Sequence, residues 1–458
     1  MSDAQGSRTA YERLTRGLAR LLGSLFFREI QVEGADRVPA AGPLVYVANH
    51  PNSLVDPVLV TGFLPRVPRF LAKHNLWQSP AIRPFLKLAG SIPVYRSHDK
   101  GTRASQNLQT FDACHDALAE GAVIGIFPEG LSYNEPSMQP VKTGVARIVL
   151  GAEEKHGPLG VKIVPVGLTF DAKNLFRSRV LLTVGEPVDP ASEVARLGDD
   201  PRGARNDLTA RVEEALRGVT LNYGSWKEAR LLERAGDLYA RGDSELPDRL
   251  GMADLFEVRK KFADGYEIMK EHAAERVAGL ARSVDRYDRM LRVTGFRDEQ
   301  IVSRYPRGHV LGYLARTLFR LLVFLPLAVA GIVLNIIPYQ ITRTIADKEE
   351  KTPQLHSTMK IFGGTFIFPI AWVLEALLAG FTLGGWAALS VALLAPLTGY
   401  IAMKFNEDRE SFRQEILSYL RLQGGRGVWN ELRKRRRALA EEVAGMAAEY
   451  RERDGQAT

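Results

Sequence analysis

The sequence predicts an α/β domain with a largely parallel sheet, followed by a helical arm and a C-terminal α-helical membrane region. Three observations predict it. From residue 28 to about 190, short apolar runs alternate with helix-length segments, the pattern of strands joined by crossover helices. From 203 to about 300 the chain turns charged, and its apolar residues fall at alternating spacings of three and four, a helical, heptad-like seam. After 306 the composition shifts to long apolar runs approaching or exceeding the ~20 residues a crossing helix needs.

Composition bounds the rest. The chain has 458 residues, 45% hydrophobic and 25% charged, so most of it is globular. Its net charge of +8 and pI near 9.4 favour anionic partners: lipid headgroups, phosphates or nucleic acid. The single cysteine, Cys114, excludes an intrachain disulfide and a Cys-based zinc site. The opening MSDAQGSRTAYERLTRG is polar, and the apolar part of Leu18 to Phe27 is short and broken by Arg20, so no signal peptide is expected.

Residues 1–27 form an amphipathic helix. Leu14, Leu18, Leu21, Leu22, Leu25 and Phe26 recur at helical spacing with Arg13, Arg16 and Arg20 between them. Such a helix lies at a membrane surface or packs on the domain, and the pattern fits both. The α/β domain spans 28–200. Its expected strands are Glu29–Glu33, Leu44–Ala48, Arg69–Ala72, Ser91–Tyr95, Ala122–Phe127, Lys162–Phe170 and Arg179–Val184. Helices are expected over 56–64, 80–89, 103–120 and 143–154.

Four stretches of this domain carry chemistry. The first is LVYVANHPNSLVDP, Leu44 to Pro57. Its apolar run reads as a buried strand, and Pro51, Asn52 and Ser53 as the turn and helix start after it. His50 then stands at the mouth of the sheet, where open α/β folds place ligands. Asp56 is about 240° around a regular helix from His50, so the turn itself must fold it back. There it accepts a hydrogen bond from one imidazole nitrogen and leaves the other basic, a general base suited to deprotonating a substrate hydroxyl. The plainer reading is a capping Asp and a His that satisfies a loop. In the second stretch, GSIPVYRSHDKG, Arg96 follows a strand and can hold a phosphate bidentately, or be one more surface arginine. In the third, IFPEGLSYNEPSMQPVKTG, Pro128 and Gly130 force a turn that presents Glu129 at a strand end. Glu129 there accepts hydrogen bonds from a polyol, pairs with Arg96, or makes a structural ion pair. Lys142-Thr143-Gly144 then opens a helix, a place for an anion. In the fourth, VKIVPVGLTF, Pro165 interrupts a strand and marks an edge or a bulge.

Together these stretches resemble the glycerolipid acyltransferases that acylate glycerol-3-phosphate or lysophosphatidic acid, over roughly residues 20 to 190. That family orders its blocks as a His–Asp pair, a block ending in Arg, Phe-Pro-Glu-Gly, and an apolar strand carrying Pro. Two departures stand out. Five residues, not the usual four, separate His50 from Asp56, and the third block continues Leu131-Ser132-Tyr133 in place of Thr-Arg-Ser. Both look like the fungal-type glycerol-3-phosphate and dihydroxyacetone-phosphate acyltransferases and their bacterial relatives. So does Asn174-Leu175-Phe176-Arg177-Ser178-Arg179 followed by Gly185-Glu186-Pro187. The missing third-block arginine leaves Lys142, Arg177 and Arg179 as candidates to complete the phosphate site.

The resemblance implies roles. His50 takes the proton from the acceptor hydroxyl as it attacks an acyl thioester, and Asp56 orients His50. Arg96 binds the acceptor phosphate, Glu129 and Gly130 position the glycerol backbone, and Pro165 shapes the acyl side. Lys73-His74 lies near, with His74 read as a loop residue. No covalent acyl-enzyme, metal or cofactor is implied, only acyl-CoA or acyl carrier protein as donor. The expected function is acyl transfer to glycerol-3-phosphate in phospholipid synthesis, with lysophosphatidic acid as the alternative acceptor. A remodelling transacylase that draws its acyl group from a phospholipid is a further reading. A non-catalytic membrane scaffold of the same fold is the reading from another class; it predicts a damaged site, whereas His50, Asp56, Arg96, Glu129 and Gly130 are all present.

The remainder reads as a helical arm (201–305), a membrane region (306–405) and a basic helical tail (406–458). In the arm, Phe262 to Leu291 predicts a long helical hairpin. In the membrane region, Ile361–Gly380 and Phe381–Met403 predict a hairpin that turns near Gly380 to Gly385, while Leu321–Ile337, with Pro326 and Pro338 in and beside it, only dips in. All basic flanks then share the cytoplasmic side. Glu375 inside the hairpin is a packing partner or a functional carboxylate. In the tail, the run Arg433 to Arg437 holds anionic lipid or forms a solvated face balanced by Glu441, Glu442 and Glu449. With no aromatic stacking platform beside it, nucleic acid is discounted as a partner. The expected location is an integral membrane one with the site facing the cytoplasm, a bacterial inner membrane before the endoplasmic reticulum.

Overall fold

A computed structural model describes residues 2–78, 82–94, 104–173, 175–241, 251–302, 307–348, 353–424 and 426–457. They form two compact units, Met1–Trp226 with Lys351–Ile361, and Lys227–Glu350 with Phe362–Thr458.

The first unit runs α1 (Ser2–Phe26), β1 (Glu29–Glu33), β2 (Leu44–Ala48), α2 (Val55–Phe63), β3 (Arg69–Lys73), α3 (His74–Trp77), α4 (Arg83–Leu88), β4 (Ile92–Val94), α5 (Ala104–Ala119), β5 (Val123–Ile126), α6 (Gly144–His156), β6 (Lys162–Phe170), β7 (Arg179–Val184), α7 (Ala191–Arg196) and α8 (Pro201–Gly218). The seven strands make one sheet in the order β1-β7-β6-β2-β5-β3-β4. Every pairing is parallel except β6 with β7. The central strand β2 is buried along its whole length, as its unbroken apolar run requires of a strand covered on both faces. Val45 and Val47, with Ile124, Ile126 and Ile163, point to one face and share a core with α5, α6 and α8.

Two expectations change here, and a third is narrowed to one of its alternatives. Residues 201–218, read as the start of the helical arm, are α8, and its Ala204, Leu208, Val212 and Leu216 complete that core. The period-3.6 signal was right for a helix and silent about its partner. Pro165 is not on an edge: β6 lies between β7 and β2. It is at a bulge. Val166 pairs with Val184, but Ile163 bridges Val188, so three steps on β6 face four on the other side. The missing N–H of Pro165 falls where the ladder is already broken. His74 opens the one-turn helix α3 rather than a loop.

Helix α1 packs against α2. A Cβ on Gly62 would lie 3.1 Å from the Ala19 backbone, and Arg20 donates to the Gly62 carbonyl at 2.8 Å. Ala19, Leu22 and Phe26 are buried, whereas Leu14, Leu21 and Leu25 remain exposed. The helix therefore packs on the domain by one apolar face and keeps a second one open.

The second unit runs α9 (Trp226–Arg241), α10 (Met252–His272), α11 (Ala274–Thr294), α12 (Asp298–Val302), α13 (Arg307–Lys348), α14 (Pro353–Leu383), α15 (Gly385–Gly424) and α16 (Arg426–Ala457). The heptad-like seam is broken at Ala273 into the hairpin α10–α11. Val277, Leu280, Val284, Tyr287 and Leu291 then pack with Leu231 and Leu238 of α9 and Leu432, Leu439 and Val443 of α16. The tail is thus part of a core, and its basic run is divided. Arg436 is buried against Asp298 at 3.3 Å, Arg435 pairs with Glu431, and Arg433 lies over the Trp429 ring.

Among the described residues, three helices are long and apolar enough to cross a membrane, within Leu314–Ile345, Gly363–Leu383 and Gly385–Glu410. The hairpin turn falls at Gly384, with φ +95°. The first run does not break into a dip: α13 continues for 42 residues through Pro326 and Pro338. It packs on α15 where Gly331 lets the backbones meet; a Cβ there would come 2.1 Å from the Thr398 carbonyl. Asn335 donates to the Gly331 and Ala395 carbonyls and accepts from Trp372 Nε1, tying α13, α14 and α15 together.

Candidate active site

Strands β2, β5 and β6 are mutually parallel in the pairings β2–β5 and β2–β6, so their C-terminal ends share one edge of the sheet. The chain leaves β2 as Asn49-His50 and leaves β5 as Phe127-Pro128-Glu129-Gly130. Asn49 is locked first. Its side chain donates to the Leu168 carbonyl and accepts from the Leu168 N–H at 2.7 Å, which extends the ladder between β2 and β6 by one pair.

The turn after β2 folds back as the His50–Asp56 spacing requires. His50 Nδ1 is 2.9 Å from Asp56 Oδ2. The same oxygen accepts the Asn52 N–H at 2.8 Å. Asp56 is fully buried at the start of α2. Burial pushes its carboxyl up; the His50 ring, the Asn52 N–H and the Lys173 ammonium pull it down. The imidazole stacks on the Phe127 ring, centroids 3.9 Å apart and planes 10° from parallel. Phe127 stacks in turn on Phe70. With Nδ1 committed to Asp56 and one face on Phe127, the ring is held in one orientation and Nε2 is left for chemistry.

The two departures from the usual block pattern meet in this turn. Ser53 takes up the extra residue in a left-handed conformation, φ +46°, a strained choice for a residue with a Cβ. It is held there by Ser132 Oγ, which accepts the Ser53 N–H at 3.0 Å. Tyr133, the next residue, donates its N–H to the His50 carbonyl at 3.2 Å. The longer first block and the altered third block are therefore two halves of one clamp.

Glu129 differs from expectation. Its side chain is 1% exposed and does not face the mouth of the sheet. Oε1 accepts the His50 N–H at 3.1 Å and Oε2 the Gln139 N–H at 2.6 Å. Burial pushes the carboxyl up to about 7 against these donors and the Tyr133 hydroxyl. The turn after β5 has buried main-chain donors to satisfy, and the carboxylate does so.

Of the candidate cations, Lys142 lies beside the turn. A Cβ on Gly130, at φ +76°, would sit 2.7 Å from Lys142 Nζ. Arg177 is turned elsewhere: its Nη1 donates to the Ser24 and Phe27 carbonyls at 2.8 and 3.0 Å and caps the end of α1. Arg179 pairs with Asp171 at 3.2 Å. Arg96 lies outside the described residues. Pro165 pairs with Val47, three residues and about 10 Å down the strand from His50. Lys173, not singled out by the sequence, reaches back from the end of β6. Its Nζ donates to the Pro51 carbonyl at 3.1 Å and lies 3.5 Å from that of Tyr133.

Comparison with known proteins agrees with the two-part organisation. A family model described as Acyltransferase matches residues 29–169. One described as Glycerol-3-phosphate acyltransferase 2 C-terminal domain matches residues 234–451. Glycerol-3-phosphate O-acyltransferase 2 of Saccharomyces cerevisiae is 28% identical, over 76% of this chain and 60% of its own. Glycerol-3-phosphate O-acyltransferase 1 of the same yeast is 24% identical, over 73% and 55%. A 1-acyl-sn-glycerol-3-phosphate acyltransferase of Bacillus subtilis is 28% identical, over 40% of this chain and 87% of its own. The chain thus spans 55–60% of the length of the two yeast relatives.

Proposed function

We propose that the chain is a member of the glycerolipid acyltransferase family, a membrane-bound O-acyltransferase that moves a fatty acyl group from a thioester to a hydroxyl of glycerol-3-phosphate. The observation that carries the reading is the His50–Asp56 pair, 2.9 Å apart with Nδ1 engaged. Nε2 takes the proton of the acceptor hydroxyl as its oxygen attacks the thioester carbonyl. The C–O bond forms, the C–S bond breaks, and the imidazolium returns the proton to the departing thiolate. Asp56 stabilises that imidazolium. Lys142, beside Gly130, and Arg96 are assigned to the acceptor phosphate. Acyl-CoA and acyl carrier protein are the donor classes.

The choice of acceptor rests on coverage. The two yeast glycerol-3-phosphate relatives align with 76% and 73% of the chain, and the C-terminal model runs over 234–451. Relatives named for 1-acyl-sn-glycerol-3-phosphate align with 31–41% of it. The fold beyond the α/β domain therefore favours glycerol-3-phosphate. Localisation follows the charges. The basic loop before α14 and the basic end of α15 flank a turn at Gly384 that carries no Lys or Arg. By the positive-inside rule that turn is external and its two flanks are cytoplasmic, at a bacterial inner membrane.

Membranes containing the chain are incubated with labelled acyl-CoA and either glycerol-3-phosphate or lysophosphatidic acid, with His50→Ala as control. Product from glycerol-3-phosphate that vanishes in the variant is expected. Product only from lysophosphatidic acid moves the enzyme to the second acylation. Undiminished product from His50→Ala removes His50 as the base. A cysteine introduced at Gly384 and labelled from outside intact cells checks the orientation.

A further inference from the structure

Asp56 presents an unsolved electrostatic problem once the pair with His50 is described. It is wholly buried, one oxygen accepts two hydrogen bonds, and the other, Oδ1, has no hydrogen-bond partner among the described residues. A buried carboxylate in that state is strongly disfavoured unless a positive charge stands near. The imidazole does not supply one, because it must be neutral to act as a base.

Lys173 is placed to do so. Its ammonium is bound to the carbonyls of Pro51 and Tyr133, residues that flank the turn from two sides. The link is doubled through the backbone: Asn52, whose N–H bonds Asp56 Oδ2, donates its side-chain amide to the Lys173 carbonyl at 3.2 Å. Those bonds bring the charge to the turn and fix it there. Among the described residues, the other charged and titratable groups facing this cluster are four. Glu129 and Tyr133 approach from the turn after β5, Glu135 faces Lys173, and Lys142 lies over Gly130.

We propose that Lys173 is a positioning residue for the acyl transfer proposed above, the fixed counter-charge that keeps Asp56 ionised and so sets the basicity of His50. Burial lowers the lysine's own pKa while Asp56 raises it, as expected of a desolvated ammonium facing a carboxylate. The sign is determined by charge counting. The working pair, neutral His50 with Asp56 carboxylate, carries −1; the protonated pair carries zero. A neighbouring +1 favours the former. Removing it makes His50 hold its proton to higher pH, by about one unit for a charge several ångströms away in a partly screened site.

The test is a titration of the His50 imidazole, followed by NMR of the purified 458-residue chain carrying ¹³C-labelled histidine. The His50 signal is the one lost in His50→Gln. It is compared in the parent, Lys173→Met, Lys173→Gln and Lys173→Arg. The expected result is an apparent pKa raised by about one unit in both neutral variants and restored in Lys173→Arg. The acid limb of turnover with glycerol-3-phosphate moves by the same amount. An unmoved titration in a folded neutral variant overturns the proposal, as does a Lys173→Arg that shifts as far as Lys173→Met. Failure of both neutral variants to fold gives Lys173 to the fold and overturns it too. The titration needs no substrate, so a parent protein that titrates as expected but transfers no acyl group refutes the acyltransferase reading alone.

Discussion

Replacing Glu129 separates two roles that a carboxylate after β5 can have. If it touched the glycerol moiety, its loss would raise the KM for the acceptor and leave the fold alone. The structure instead gives its oxygens to the His50 and Gln139 N–H groups. Glu129→Ala leaves both buried donors without partners, at about 1 to 3 kcal/mol each, so about 2 to 6 kcal/mol in all. For a domain of this size each kcal/mol lowers Tm by about 2 to 4 °C. The midpoint of the acyltransferase domain therefore falls by at least about 4 °C. Glu129→Gln keeps one oxygen and sets an NH₂ against one of the donors, so it falls by about half as much. Because the His50 backbone is what the carboxylate holds, turnover falls in step and the KM for acceptor stays. The assays are thermal unfolding in detergent and initial rates against acceptor concentration. A variant with an unchanged midpoint and a raised KM refutes this reasoning and restores the substrate-contact role.

Four further outcomes are expected. The raised Glu129 carboxyl also sets a pH window: its folded value near 7 lies above the ordinary 4.5, so its protonated form favours the fold. That contribution is whole below pH 4.5 and is lost as pH rises through 7, about 3 kcal/mol in total; a midpoint that rises over this range in the parent, or one that still falls in Glu129→Gln, contradicts it. Asp56→Asn reverses the polarity of the bond to His50 Nδ1 and lowers turnover by roughly 10³ to 10⁴, read at saturating acceptor; a loss under tenfold rejects the orienting role. Ser132→Ala orphans the Ser53 N–H and costs about 1 to 3 kcal/mol, seen as a lower midpoint, which Ser53→Gly partly offsets by relieving the left-handed strain. Gly331→Ala forces a Cβ into the Thr398 carbonyl and loosens α13 from α15, seen as faster proteolysis of the membrane unit; unchanged proteolysis rejects the close approach.

Local physics made much of this legible in the sequence. The buried run LVYVA, the turn residues after it and the alternation of strands and helices led to the sheet, with four of its seven strands bounded as found and the others within one residue, and to His50 and Asp56. Pro165 announced a bulge because a missing N–H has few places to go. What escaped depends on partners far along the chain. Arg177 looks like a phosphate ligand and is a helix cap, because the carbonyls it serves belong to residues 24–27. Lys173 is one lysine among many until the turn it binds is folded. Glu129 reads as a displayed carboxylate, and only the buried donors around it turn it inward. Pro326 and Pro338 suggest a broken helix, but the neighbours that pack along α13 as one continuous helix are not local to it.

The pairing of β1 with β7, Glu29 against Arg179, has a consequence for the order of birth. Of the strands in this sheet, the earliest synthesised pairs, among the described residues, with the latest alone, and the guanidinium that closes α1 lies 150 residues beyond Phe27. At roughly 5 to 20 residues per second, a nascent chain waits about 8 to 30 s between making that helix and being able to lock it. Throughout the interval Phe26, which later meets Phe176, stands uncovered beside Leu14, Leu21 and Leu25, which stay exposed afterwards. A ribosome translating this chain therefore displays a greasy, arginine-flanked helix well before any catalytic residue is in place, and whatever first shelters it, lipid or chaperone, meets the protein before its own fold does.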